Sequence, residues 1–201
     1  MDDLVAQSLK KWPDVPHCYG WLALDARGNW RMRDQRAQDG DLPGDKIAHT
    51  ALIGFINRNY SCDAQGRWYF QNGPQRVYIN LEATPYIART DPEHGFALHT
   101  GVALDRIDAA WLSEAGQLLL HFPDGHGDSV AALDDRDLAQ CLPALRIAGA
   151  PVDDARLMAW LEGGNDRLAL QHRDQTIPVQ RIAQADIAKQ FNFVLRPQPD
   201  I

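Results

Sequence analysis

The sequence predicts an α+β protein, and three observations carry that prediction. Within residues 66–90 an Asn72-Gly73 dipeptide separates two alternating runs of strand-forming residues. This is among the strongest short-range hairpin signals, because both turn positions need positive φ and Asn and Gly tolerate it. Ile47, Ala48, Ala51, Leu52, Phe55 and Ile56 recur at helical spacing and form one apolar stripe. Lastly, the order hairpin, helix, hairpin occurs twice along the chain. A hydrophobic content of 45% with 6 Trp in 201 residues supplies a packed core, and a chain of this size buries about 70% of its unfolded surface.

The elements follow in order. Residues 1–10 and 197–201 are expected to be loose, as chain ends commonly are. Residues 12–16, with Pro13 and Pro16, form an extended arm, since each proline disfavours helix in the residue before it. Residues 19–24 and 30–33 pair across a turn in which Gly28 takes positive φ. Trp30 and Met32 share the buried face of that hairpin, and Arg31 and Arg33 the wet one. Asp45 is placed to cap the helix that begins near Ile47. Residues 63–66 turn the chain into the second hairpin, where Val77, Ile79 and Leu81 point one way and Arg76, Tyr78, Asn80 and Glu82 the other. Pro85 interrupts this ladder, and residues 86–89 resume it as an edge strand.

In the second half, residues 111–113 and 117–122 flank a turn at Glu114-Ala115-Gly116. Residues 134–147 read as a helix kinked or shortened by Pro143, and residues 153–161 as another that Gly163-Gly164 stops. Strands at 167–172 and 176–182 flank a turn at Arg173-Asp174-Gln175, and residues 185–191 form a short final helix. Arg67-Trp68-Tyr69-Phe70 and Arg167-Leu168-Ala169-Leu170 hold equivalent places in the two series. Two tandem modules packed together are therefore expected, 1–104 and 105–201, with a single mixed-sheet domain as the alternative.

Charge and cysteines narrow the function. The net charge of -7, from 27 acidic against 20 basic side chains, disfavours attraction to nucleic acid or an anionic membrane. Cys18, Cys62 and Cys141 are far apart and form no CxxC pair, which fits free thiols in a reducing cytoplasm. The amino terminus has acidic residues where a signal peptide needs basic ones. No apolar run approaches the roughly 20 residues of a membrane helix. A cytoplasmic protein is the expectation.

Catalytic chemistry finds little support. His121, Asp124, His126 and Asp128 put two imidazoles and two carboxylates in one short loop, a donor set that zinc or iron could use in a metal-assisted hydrolase. The spacing matches no established ligand pattern, and turn preferences explain the same residues. Glu93, His94 and His99 make a weaker cluster. No Gly-x-Ser-x-Gly elbow and no Walker loop occurs, so no cofactor is indicated. Cys18 and His17 are neighbours on an extended strand and point to opposite faces. The remaining option is a binding site on the polar side of the second hairpin, at Arg76, Tyr78, Asn80 and Glu82, with Trp68 or Tyr69 beside them and Tyr86 beyond. Hydrogen-bonding groups next to aromatic surface are what a pocket for a small ligand or a peptide strand requires.

A family resemblance joins these residues. Gly28 and Trp30, the helix with Leu52 and Phe55, and Val77, Ile79, Leu81, Glu82, Pro85, Tyr86 and Ile87 resemble the pattern of uncharacterised bacterial domain-of-unknown-function families. The likeness covers roughly residues 17–105. It implies repeated α+β motifs and a suggested part in signalling, and it brings no catalytic residues. The expectation is a non-catalytic module that binds an unidentified protein or small molecule, with no cofactor, nucleic acid or membrane partner.

Overall fold

The structure is a computed structural model that describes residues 1–125 and 127–200. The chain divides into two units: residues 1–85, rejoined by the segment from Asn192, and Tyr86–Phe191. The sequence boundary at 104/105 differs from this division. The strand after Pro85 pairs with residues of the second half, Tyr86 opposite Ala131 and Ile87 opposite Ala132, so the chain changes sheet at the proline.

The first unit runs α1 (Asp3–Lys11), β1 (Cys18–Leu24), β2 (Trp30–Met32), α2 (Gln35–Asp39), β3 (Asp45–Lys46), α3 (Thr50–Arg58), β4 (Tyr60–Cys62), β5 (Trp68–Asn72) and β6 (Gln75–Leu81). Its sheet has the order β3-β2-β1-β6-β5-β4. Only β1 and β6 pair in parallel; the other neighbours are antiparallel. Leu22, Leu24, Trp30, Trp68, Ile79 and Leu81 are buried. On the core side the Trp30 ring meets Tyr60 edge-on at 5.2 Å, and its Nε1 donates to Asn57 Oδ1 at 2.7 Å.

One turn sequence is used twice here. Asp25-Ala26-Arg27-Gly28-Asn29-Trp30 and Asp63-Ala64-Gln65-Gly66-Arg67-Trp68 share the pattern Asp-Ala-x-Gly-x-Trp. In each, Asp Oδ1 accepts from the backbone N–H two and four residues on, at 3.0 and 2.8 Å for Asp25 and at 3.0 Å twice for Asp63. Such Asx turns satisfy loop donors internally and fix the hairpin register. Gly28 and Gly66 both take φ of 74°, a conformation that L side chains rarely adopt.

Gly66 also receives the returning chain. Its carbonyl accepts from Val194 N at 3.0 Å, and a Cβ on it would clash with Asn192 O. Gly66→Ala is expected to cost about 1–3 kcal/mol through strain and clash. Amide hydrogen exchange at Val194 checks this: protection equal to wild type would show that the returning segment does not depend on Gly66.

The second unit runs β7 (Tyr86–Asp91), β8 (Gly95–Leu98), β9 (Ala109–Ser113), β10 (Leu118–Asp124), β11 (Gly127–Leu133), α4 (Leu138–Cys141), β12 (Leu145–Ile147), β13 (Ala150–Pro151), α5 (Asp154–Leu161), β14 (Leu168–His172), β15 (Gln175–Ile182) and α6 (Ile187–Gln190). Its sheet has the order β13-β12-β14-β15-β9-β10-β11-β7-β8. The stretch β11-β10-β9-β15-β14-β12 repeats the first sheet's strand order, with the parallel pair β9 and β15 in the place of β1 and β6. β14 and β15 stand one hundred positions after β5 and β6, and Ala169 pairs with Pro178 as Tyr69 pairs with Tyr78.

Several expectations are corrected. Residues 1–10 are not loose: α1 buries Val5, and Asp2 N donates to Asn59 Oδ1 at 2.8 Å. Near the other end, Arg67 pairs with Asp200 at 2.8 Å. Asp45 lies in β3, and His49 caps the helix by accepting from Leu52 N at 3.2 Å. Met32 is 46% exposed while Arg33 is 7% exposed. The Arg33 guanidinium donates through Nε and Nη2 to Leu42 O, Ala37 O and Asp41 Oδ1, and hydrogen bonds of this kind are what make a buried arginine tolerable. Residues 86–91 form a strand between β11 and β8, not an edge of the first sheet. The helix expected over 134–147 shrinks to α4 with short 3-10 turns, because Pro143 removes a helical donor and Leu145–Ile147 pair with β14.

Candidate functional site

β6 places Arg76, Tyr78 and Asn80 along one side of the first sheet, as strand alternation requires, and Glu82 follows just past the strand's end. Tyr69 is the cross-strand neighbour of Tyr78 on that side. Trp68 is one residue out of phase. Its ring lies 4.7 Å from Tyr60, among the core aromatics, so it does not join the row. Tyr86 does not join it either: it belongs to the second unit, where its ring packs against Phe122 and His99.

The row has two ends of different character. At the Tyr78 end the face is filled. A bulge in β1 between Cys18 and Leu22 stacks Tyr19 on Tyr78 at 4.7 Å and 9°, and His17 meets Tyr78 edge-on at 5.7 Å. Arg76 lies over Tyr69 at 4.5 Å and Arg67 over Tyr78 at 4.9 Å. Tyr78 is 1% exposed and Tyr69 5% exposed. Asp63 holds this end together, accepting from Arg67 Nε at 2.8 Å and from the Tyr78 hydroxyl at 3.0 Å. Burial pushes the Tyr78 hydroxyl above its ordinary range, and the Asp63 bond adds to this. Burial, with Arg76 and Arg67 nearby, pushes His17 down.

At the Asn80 end the face opens. A cavity of about 220 Å³ is lined by Asn80, Glu82, Arg31, Arg33, Asp25 and Asp41, among others. Arg31 and Asn80 flank Ala23 across three strands, and this small side chain leaves room above the sheet. Asp25, the aspartate of the first turn, accepts from Arg31 Nε at 2.8 Å through Oδ2, which also accepts from Asn29 Nδ2 at 3.0 Å. Asp41 pairs with Arg33 at 3.1 Å and with Arg196 at 3.0 Å. Glu82 accepts from Ala26 N at 3.0 Å. Burial raises the Asp25 carboxyl, but bonds from Asn29 and Arg31 outweigh it and leave the carboxyl below its usual range. Both signs of charge thus line the cavity, each held in place.

Sequence reasoning missed the two turn aspartates that organise these ends. The doubled Asp-Ala-x-Gly-x-Trp pattern was the available signal. It also missed Tyr19, whose approach depends on the β1 bulge and Gly20 at φ 79°.

The His121–Asp128 loop is a hairpin of β10 and β11. His121 and Asp124 are three apart on a strand, so they face opposite sides. The His121 ring packs near Trp111 and Phe191, and Asp124 accepts from Ser129 Oγ at 2.5 Å. His126 lies outside the described residues. Among the described residues no group of three or more His, Cys, Asp or Glu is disposed to hold a metal ion. In the weaker cluster, His94 meets Asp91 at 3.0 Å, and His99 accepts from Ile87 N at 3.2 Å. Cys141 is buried, which pushes its thiol up to about 12, so it is a packing residue and not a nucleophile.

The model of the DUF2944 family, described as "Protein of unknown function (DUF2946)", matches residues 1–198. The chain belongs to this family. No curated protein matches it. Among solved structures it is similar to a DUF1285 family protein from Silicibacter pomeroyi DSS-3, at 13% identity and a TM-score of 0.48, over 89% of this chain and 94% of that one. No helix among the described residues is long and apolar enough to cross a membrane.

Proposed function

We propose that this member of an unknown-function family is a non-catalytic binding protein of the cytoplasm, built from two repeats of one α+β module. Its first unit takes a small polar ligand at Asn80 and Glu82. The observation that carries this reading is the cavity of about 220 Å³ at the open end of the β6 row. Its wall offers an amide, carboxylates and guanidinium groups already held by hydrogen bonds, and such preorganised polar groups favour selective recognition of a ligand with charges of both signs. The arginines and carboxylates there are committed to one another in ion pairs, which suits holding a ligand more than exchanging protons with it. The matching strand orders support the repeat, and three free cysteines are consistent with a reducing compartment. A part in signalling would follow if ligand occupancy altered a protein contact.

The test is a thermal shift assay over a panel of amino acids and other small zwitterions. Binding to the native state alone stabilises by about 2.7 kcal/mol at one hundred times Kd. Asn80→Ala and Glu82→Gln, the latter retaining an acceptor for Ala26 N, should cancel the shift. A panel with no stabilising compound, or shifts in both variants equal to that of the wild type, removes the reading.

A further inference from the structure

We propose that the second unit binds a small organic anion, an apolar or aromatic body carrying a phosphate or carboxylate, in the cleft over Ala169 and Pro178. This site is separate from the one at Asn80 and does not rest on that reading. The cleft measures about 720 Å³, within the roughly 300–1,000 Å³ of small-molecule sites.

A contrast between the two sheets locates it. In the first sheet the registered pair Tyr69 and Tyr78 meets edge-on, and with Tyr19 stacked on Tyr78 it fills the face. In the second, the pair at the same place is Ala169 and Pro178. Two small side chains replace two phenol rings, and the face stays open above them.

The charge around that opening is positive. Arg146, Arg167 and Arg181 line the cleft, and Asp166 is the only acid among its lining residues. Arg146 lies beside Ala169 across the strand pair and donates to the carbonyls of Pro143 and Leu145 at 2.6 and 2.8 Å. Arg181 stacks on Trp160 at 3.9 Å and donates to the carbonyls of Trp160 and Gly164. Arg167 precedes Ala169 by one strand period, on the same face. Among the described residues none of the three pairs with a carboxylate. The first unit's cavity differs, since each of its arginines has an acidic partner. Arg146, fixed by carbonyls, and Arg167 share the face of Ala169 and are left unneutralised, and together they form a receptor for an oxyanion, the group whose geometry a guanidinium fork matches. The net charge of -7 repels a polyanion at long range. A small anion senses mainly the local arginines, because screening limits the wider field. A nucleic acid is therefore the less suited occupant.

Isothermal titration calorimetry of the full chain tests this with 1-naphthyl phosphate and 1-naphthoate, against 1-naphthol and inorganic phosphate. One or both naphthyl anions should bind saturably, and each control more weakly, since charge and body both contribute. Arg167→Ala removes a side chain with no hydrogen bond among the described residues, and should weaken binding by about tenfold or more. Ala169→Tyr restores the ring of the first sheet and should abolish binding, with circular dichroism verifying the fold. Should Ala169→Tyr fail to fold, Arg167→Ala carries the test. Absence of saturable binding, equal affinity for 1-naphthol, or affinity unchanged by the variants overturns the proposal. So does tighter binding of a single-stranded oligonucleotide or polyglutamate. Anion binding sensitive to Asn80→Ala and not to Arg167→Ala assigns the event to the first unit and likewise overturns it.

Discussion

Trp30→Ala lowers the stability of the first unit by about 3–5 kcal/mol, the range for emptying a large aromatic side chain from a core. Trp30 is 2% exposed and stands in β2 opposite Leu24. Its edge contact with Tyr60 ties this strand to β4, and its Nε1 bond to Asn57 ties it to the last turn of α3. Removing the indole leaves a cavity and an unpaired Asn57 carbonyl, and the two losses add. Trp30→Phe separates them, because it refills most of the volume and omits the donor. Urea denaturation followed by circular dichroism measures both variants. A loss below about 1 kcal/mol for Trp30→Ala would mean that the strand repacks freely, contrary to the cost of such cavities in close-packed cores.

Acid weakens the second unit through Asp134. This carboxylate has a side chain 1% exposed, between Arg136 Nη2 at 2.5 Å and Arg89 Nε at 3.6 Å. The Arg136 guanidinium, opposed by burial and helped by the Arg136 backbone N–H, holds its pKa at about 2. The folded value lies below the unfolded one of about 3.9. The resulting stability is therefore fully present above about pH 4 and is lost as pH falls towards 2, with a magnitude of roughly 2 kcal/mol. Asp134→Asn should lower stability at pH 7 by a similar amount and flatten the change in urea midpoint between pH 5 and pH 2.5. An unchanged acid profile in this variant would assign the acid sensitivity to other carboxylates. Asp25 and Asp63 contribute in the same sense, since bonds from their turns outweigh burial and depress both.

The local features read from the chain have local physical causes. The Asn72-Gly73 hairpin, the Gly28 turn and the Asp153–Leu161 stretch depend on residues within a few positions of one another, and each forms where expected. The correspondence of residues 67–70 with 167–170 likewise follows from equal spacing within two hairpins. The face of Trp68 was harder to assign. Two adjacent aromatics alternate in direction, and only the pairing of Tyr69 with Tyr78 decides which one joins the polar row. Closeness to Pro85 points Tyr86 to the second hairpin's ladder, whereas its partner, Ala131, lies 45 positions onward in the sequence.

Composition and short-range pattern were thus enough for the α+β class, the hairpins and the polar row of β6. Long-range pairing settled the rest: the transfer of the chain to a new sheet at Pro85, and the opening at Asn80 against closure at Tyr78. Turns and alternation are properties of consecutive φ/ψ angles and side-chain period. A cavity is what remains when distant side chains fail to fill a space, and no stretch of neighbouring residues encodes that volume.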